Sequence, residues 1–275
     1  MRTLICIRQL PYSQDTIRFG SLIAKLEDGS TTLMTVVDDE IEIPEAEEGL
    51  AEARILLERS DATILVRKGH VLDEILNESK ENEYDLIVVG ARDVAGFLDK
   101  FIGTLTRKVT DRATMSVLVV RESRPEIKRI LIAMGGQKLN RSLIETGTGL
   151  AQASGATVTA LFVTEPVPSM YTGLNGIEET LEELLQTDTP VAQHLRWCAQ
   201  YLAGHDVDSE IEIRHGIAAD EIMREAMKGD YDLVVIGAAS LEGPIQRLLM
   251  DRVTPQVVDR APCSVLVVRQ TPAGS

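Results

Sequence analysis

An eight-residue stretch occurs twice in this chain. Tyr84-Asp85-Leu86-Ile87-Val88-Val89-Gly90-Ala91 is answered 147 positions later by Tyr231-Asp232-Leu233-Val234-Val235-Ile236-Gly237-Ala238. The same offset carries Gly69-x-x-x-Asp73-Glu74-Ile75 onto Gly216-x-x-x-Asp220-Glu221-Ile222. Asp111-Arg112-Ala113-x-x-Ser116-Val117-Leu118-Val119-Val120-Arg121 recurs at an offset of 148, from Asp259 to Arg269. At the starts of the halves, Leu4-Ile5-Cys6 is aligned with Ile130-Leu131-Ile132 at an offset of 126. The second half then carries about 21 extra residues, assigned to the Pro-, Gly- and Glu-rich stretch between Glu165 and Thr189. A period this long is a duplicated domain and not a solenoid repeat.

Each half alternates short β-rich runs with helix-period segments. Strands are predicted near 3–8, 31–37, 62–67, 85–89 and 116–120, and again near 128–134, 157–163, 207–213, 232–236 and 264–268. Between them, Val71, Leu72, Ile75 and Leu76 form an apolar helical stripe, with Asp73, Glu74, Asn77, Glu78 and Glu81 on the polar side. Runs such as Leu86-Ile87-Val88-Val89 do not alternate, so both faces of the strand are covered; strands of that kind belong to parallel sheets sheathed by helices. The expected fold is α/β: two tandem, doubly wound, five-stranded parallel-sheet domains, 1–123 and 127–270, the second with an insertion at 165–189. A polar, Pro-containing link from Glu122 to Glu126 joins them.

Composition narrows the partners. With 28 basic and 43 acidic residues the formal net charge is -15, which opposes nucleic-acid backbones and anionic lipid surfaces. No apolar run approaches the ~18 residues of a membrane span, and the first residues read directly into a strand instead of a signal peptide. The three cysteines, Cys6, Cys198 and Cys263, are scattered and odd in number. They fit buried small hydrophobes in a reducing cytoplasm. Trp197 is expected to pack in the core with Leu195, Cys198 and Leu202. His70, His194, His205 and His215 show no metal-ligand spacing, and no catalytic Ser/His/Asp order can be assembled.

A doubly wound sheet binds ligands beyond the carboxyl ends of its strands, where strand order reverses. The loop after the fourth strand runs from Gly90 through Arg92, Asp93 and Gly96 to Gly103-Thr104-Leu105, where the next helix begins. Glycines at both ends bring bare main chain close to a ligand. A helix start offers free N–H groups and partial positive charge, suited to a phosphate. The rival reading is that the glycines only shape the loop and Thr104 caps the helix.

These motifs resemble those of the universal stress protein family. Gly90-x2-Asp93-x9-Gly103-Thr104 is similar to its Gly-x2-Gly-x9-Gly-Ser/Thr signature, and the Tyr-Asp-Leu-Ile-Val-Val-Gly lead-in and the Arg260-Ala261-Pro262-Cys263-Ser264 tail match as well. The resemblance spans nearly the whole chain as two domains. It implies a cytoplasmic stress-response binding module that pairs its halves as an intrachain pseudo-dimer through Ser116–Val120 and Ser264–Val268, with homodimerisation of the full chain left open. It also implies an adenine nucleotide, ATP or AMP, with Mg²⁺ accompanying ATP. Carried over residue by residue, the site is Val36, Gly90, Gly96, Gly103, Thr104 and Leu105. In that set the Val36 main chain meets adenine, while Gly90, Gly103, Thr104 and Leu105 hold phosphates.

Departures from the signature matter. The second glycine is Asp93, and the strand-one acid of nucleotide-binding members falls near Gln9. A carboxylate about 4 Å from a phosphate charge costs on the order of 4 kcal/mol at an effective dielectric of 20, roughly a thousandfold in affinity. In the second half Asp251-Arg252 replaces the Gly-Ser pair and Gly135 the strand-one acid, and an Asp at a helix start fills the anion slot itself. Any nucleotide is therefore expected in the first domain only. No catalytic residue is assigned, and at most slow ATP hydrolysis is expected. The alternative is a nucleotide-free interaction protein with both sites degenerate, recruiting a protein partner through its acidic surface and the insertion.

Overall fold

A computed structural model describes residues 1–8, 13–27, 29–57, 61–91, 103–135, 141–164, 181–238 and 253–269. The chain divides into two compact units, Met1–Glu126 with Val258–Ser275, and Ile127–Val257.

The first unit runs β1 (Arg2–Cys6), α1 (Gln14–Leu26), β2 (Ser30–Val37), a 3-10 turn (Glu40–Glu42), α2 (Ile43–Leu56), β3 (Thr63–Lys68), α3 (Val71–Glu81), β4 (Leu86–Gly90), α4 (Thr104–Arg112) and β5 (Ser116–Val120). Strand order is β3-β2-β1-β4-β5, all parallel. The second unit holds β6 (Arg129–Gly135), α5 (Arg141–Ser154), β7 (Thr157–Thr164), α6 (Leu181–Gln186), α7 (Pro190–Gly204), β8 (Ser209–His215), α8 (Ala218–Lys228) and β9 (Leu233–Gly237). Its order is β9-β6-β7-β8, also parallel. After α9 (Val253–Arg260), β10 (Ser264–Val268) is grouped with the first unit. There it pairs antiparallel with β5, with Leu266 opposite Leu118. All ten predicted strands are present, each within two residues of its expected start.

The repeated Ser-Val-Leu-Val-Val-Arg has a structural reason in that pairing. The Arg121 N–H donates to Ser264 Oγ and the Arg269 N–H to Ser116 Oγ, both at 3.2 Å. Each strand's first residue thus closes the far end of the other. Arg107 reaches Asp259 at 2.6 Å, and the Arg121 guanidinium donates to the carbonyls of Val258 and Asp259.

Two expectations are corrected. In the first unit Thr3 lies beside Leu86, and in the second Ile130 lies beside the equivalent Leu233. The strand-one offset is therefore 127, not 126, and the insertion is about 20 residues. Arg2 and Arg129 are the true equivalents: each places its guanidinium over a tyrosine ring, Tyr84 at 5.3 Å and Tyr231 at 5.1 Å. Because side chains alternate along a strand, the one-residue difference decides which of them faces which helix.

Glu78, read as part of a polar helix face, is only 3% exposed. Its carboxylate is gripped by Arg67 from β3 and accepts from Asn82 Nδ2 at 2.9 Å and the Tyr84 hydroxyl at 3.2 Å. The second unit repeats this as Arg214, Glu225 and Tyr231. A carboxylate tolerates burial only when paired in this way. Burial, reinforced by these carboxylates, pushes both phenols up, Tyr231 to about 12.

Helix α1 packs tightly on the sheet at Gly20, where an added Cβ would sit 2.9 Å from Val88 Cγ1. Its equivalent in α5, Gly147, would drive a Cβ into Ile132 Cδ1. Both glycines permit the helix to lie directly on strands β1 and β4, or β6. Trp197 is half-buried and not a core residue, whereas Leu195, Cys198 and Leu202 are fully buried. Its ring lies at the margin of that apolar stripe, between His194 and Tyr201, with the Arg141 guanidinium 4.8 Å above it.

Candidate functional site

In the first unit strand order reverses between β1 and β4, so the crevice forms beyond the carboxyl ends of these two strands. Gly90 is the last residue of β4. A Cβ there would lie 2.8 Å from Thr16 Oγ1 of α1, so only glycine allows this close an approach. Gly103 is the N-cap of α4, at φ -58 and ψ 149, with no side-chain capping bond and no acidic residue in the first turn. Thr104 is the first helical residue and exposed; it is not the cap. Leu105 is half-buried.

The base of the loop between Gly90 and Gly103 is pinned twice. The Gly103 N–H donates to the Ala91 carbonyl at 3.1 Å, and the Thr106 hydroxyl donates to the Gly90 carbonyl at 2.7 Å. These bonds hold the start of α4 against the end of β4. The main-chain N–H groups of Thr104, Leu105 and Thr106 belong to the first helical turn, where they lack an intrahelical acceptor. They make a concentrated donor set with the helix dipole behind them. The Arg107 guanidinium, which follows them, is tied to Asp259.

Val36 is half-buried near the end of β2, in register with Arg67 of β3. Gly90, Gly103, Thr104 and Leu105 are brought together by β4 and α4; Val36 comes from β2, beyond β1 in the sheet. Gly96 lies outside the described residues. So do Gln9, Asp93, Asp251 and Arg252, on which the expected weakness of each half rests. Thr106 is not among the residues expected from the sequence, which end at Leu105. The signal was available in the repeat, since Thr254 stands 148 positions later and donates to the Gly237 carbonyl at 3.3 Å.

Nothing described near the crevice is poised for nucleophilic attack. Cys6, at the end of β1, has its thiol pushed above the usual range by burial and by the Glu78 carboxylate. His70 sits at the N-cap of α3, exposed, with Nδ1 3.3 Å from Asp73 Oδ2. Among the described residues no three of His, Cys, Asp or Glu gather to hold a metal ion. No helix among them is long and apolar enough to cross a membrane.

Comparison with known proteins bears on the whole chain. The profile of the universal stress protein family matches residues 1–121 and 126–269. A universal stress protein of Thermus aquaticus is 32% identical over 142 residues, 52% of this chain and 98% of its own length. One from Methanocaldococcus jannaschii is 27% identical over 152 residues, 55% of this chain and 88% of its own. A solved universal stress protein of Archaeoglobus fulgidus superposes with a TM-score of 0.68 at 16% identity, covering 98% of this chain and 96% of that one. A Pseudomonas aeruginosa protein of unknown function gives 0.69 at 19%, covering 98% and 92%. The two structural likenesses are likenesses of fold.

Proposed function

Because this chain belongs to the universal stress protein family, we propose that it is a stress-response binding module whose first domain takes an adenine nucleotide, ATP or AMP, at the crevice between β1 and β4. One observation carries the reading. The N-terminus of α4 is bare, capped by Gly103 without a side chain and free of acid in its first turn, and Thr106 locks it to the end of β4. Phosphate oxygens would accept from the N–H groups of Thr104 and Leu105 and from the Thr104 hydroxyl, with the missing side chains of Gly90 and Gly96 leaving room for the ligand. The Val36 main chain would meet the base. Mg²⁺ would arrive with ATP and be held by the nucleotide's own phosphates, since no three of His, Cys, Asp or Glu gather for it among the described residues.

The role in this reading is binding, with at most slow ATP hydrolysis. No described side chain near α4 is placed as a general base, and the Cys6 thiol stays protonated. The measurement is thermal unfolding of the purified chain against Mg-ATP and AMP. A ligand at a hundredfold excess over its Kd adds about 2.7 kcal/mol of stability. Absence of any shift at millimolar nucleotide would overturn the reading in favour of a nucleotide-free interaction protein.

A further inference from the structure

The second unit contains a cluster of soft donors that the nucleotide reading does not use. Cys198 Sγ on α7 lies 3.4 Å from His194 Nε2, one helical turn earlier, and 3.8 Å from Met134 Sδ near the end of β6. All three side chains are buried: His194 is 6% exposed, Cys198 0% and Met134 4%. We propose that His194, Cys198 and Met134 form a three-coordinate site for a soft monovalent metal ion, copper(I).

The spacing fits that geometry. Bonds of about 2.3 Å to sulfur and about 2.0 Å to imidazole nitrogen, set at trigonal angles, separate sulfur from nitrogen by about 3.7 Å and sulfur from sulfur by about 4.0 Å. The two observed separations, from Cys198 Sγ to His194 Nε2 and to Met134 Sδ, lie within a few tenths of an ångström of these values. Thiolate, thioether and imidazole are the donors that select copper(I) over harder ions. Charge agrees. Copper(I) with one thiolate is neutral overall and tolerable in an apolar interior, whereas a divalent ion would leave a net positive charge. Among the described residues no carboxylate completes the set, and the Arg141 cation, close enough to act on both His194 and Cys198, opposes a second positive charge. On binding, the Cys198 S–H bond breaks, the sulfur keeps the electron pair and forms the bond to copper, and one proton leaves to water; copper stays monovalent throughout.

Packing alone does not call for these residues. The corresponding helix of the first unit, α2, buries Leu50, Ala53 and Leu57 with the spacing of Leu195, Cys198 and Leu202. Cys198 thus stands where the first unit has Ala53, and Met134 stands where it has Ile7. The same fold closes there without a sulfur or nitrogen donor.

The test is anaerobic titration of the reduced full chain with copper(I) held by the chromophoric chelator bicinchoninate. One equivalent should be withdrawn from the chelator, with an X-ray absorption spectrum showing two sulfurs and one nitrogen. Cys198→Ser should weaken binding about a hundredfold and the volume-conserving Met134→Leu about tenfold, while the Cys6→Ser/Cys263→Ser double variant keeps the full equivalent. Met134→Leu decides the matter if Cys198→Ser fails to fold. The proposal is overturned if the wild-type chain withdraws no copper, if Met134→Leu binds as tightly as wild type, if the Cys6/Cys263 variant loses the metal, or if zinc(II) occupies the cluster as tightly as copper(I).

Discussion

The Thr106 hydroxyl donates to the Gly90 carbonyl at 2.7 Å. It joins the first turn of α4 to the final residue of β4, the two elements that build the candidate anion site. Thr106 is buried, so its hydroxyl has no water to fall back on. Thr106→Ala should cost about 1–2 kcal/mol and Thr106→Ser less, read by urea unfolding. The alanine variant should also weaken any nucleotide-induced shift in Tm, because the donor set loses its anchor. Equal nucleotide affinity in both variants would show that the anchor is irrelevant to binding.

Substitution at Gly103 separates ligand contact from folding. Its φ of -58 and ψ of 149 suit any residue, so Gly103→Val carries no backbone strain. The variant should lose only about 1 kcal/mol, the cost of a poorer N-cap residue, yet lose the Mg-ATP shift entirely, as the new side chain covers the N–H groups. Asp93→Gly should act in the opposite direction and tighten binding by removing like-charge repulsion. Weaker binding by Asp93→Gly would refute the charge argument.

The Arg67–Glu78 pair is asymmetric. Glu78 is buried, while Arg67 keeps more contact with water and a second partner in Glu81 at 2.9 Å. Removing the arginine leaves a buried carboxylate with Asn82 and Tyr84 as its donors among the described residues; removing the acid leaves an arginine that can still be solvated. Arg67→Ala should therefore cost about 3 kcal/mol, and more than Glu78→Gln. A double-mutant cycle in guanidinium is the measurement, and the Arg214–Glu225 pair of the second unit should repeat the order.

Gly147 sets the distance between α5 and β6. Alanine there would gain about 1 kcal/mol of helix propensity but collide with Ile132, at about 1–3 kcal/mol for overpacking. The collision should win, giving a net loss in Gly147→Ala. Ile132→Ala deletes both offending atoms, Cδ1 and Cγ1, and leaves only the Cβ at 4.0 Å. In that background Gly147→Ala should be neutral or stabilising, a change of sign visible in thermal melts.

Much of the fold was legible because parallel strands covered on both faces leave uninterrupted aliphatic runs such as Leu86–Val89 and Val117–Val120. The error at the first strand came from the same source. Leu, Ile and Val are interchangeable in such runs, so only the arginines that stack on Tyr84 and Tyr231 mark the true register. Glu78 looked like a solvated helix residue because its partners, Arg67 and Tyr84, lie on other elements. The spacing of Gly90, Gly103 and Thr104 was enough to place them at a strand end and the following helix start. Thr106 could not be placed in this way, since the identity of its acceptor depends on how closely α4 returns to β4. The cluster at Cys198 was invisible for a similar reason: Met134 is 64 residues away from it in the chain.

The pairing of β10 with β5 bears on the order in which the protein matures during synthesis. Until residue 268 has left the ribosome, Val117 to Val120 present an unclaimed rim of hydrogen-bonding groups with oily flanks, an invitation to a neighbouring nascent chain. A nonsense mutation anywhere in the final dozen codons before Ser264 would make that transient exposure permanent, and its product should be found in inclusion bodies although the whole first repeat is intact.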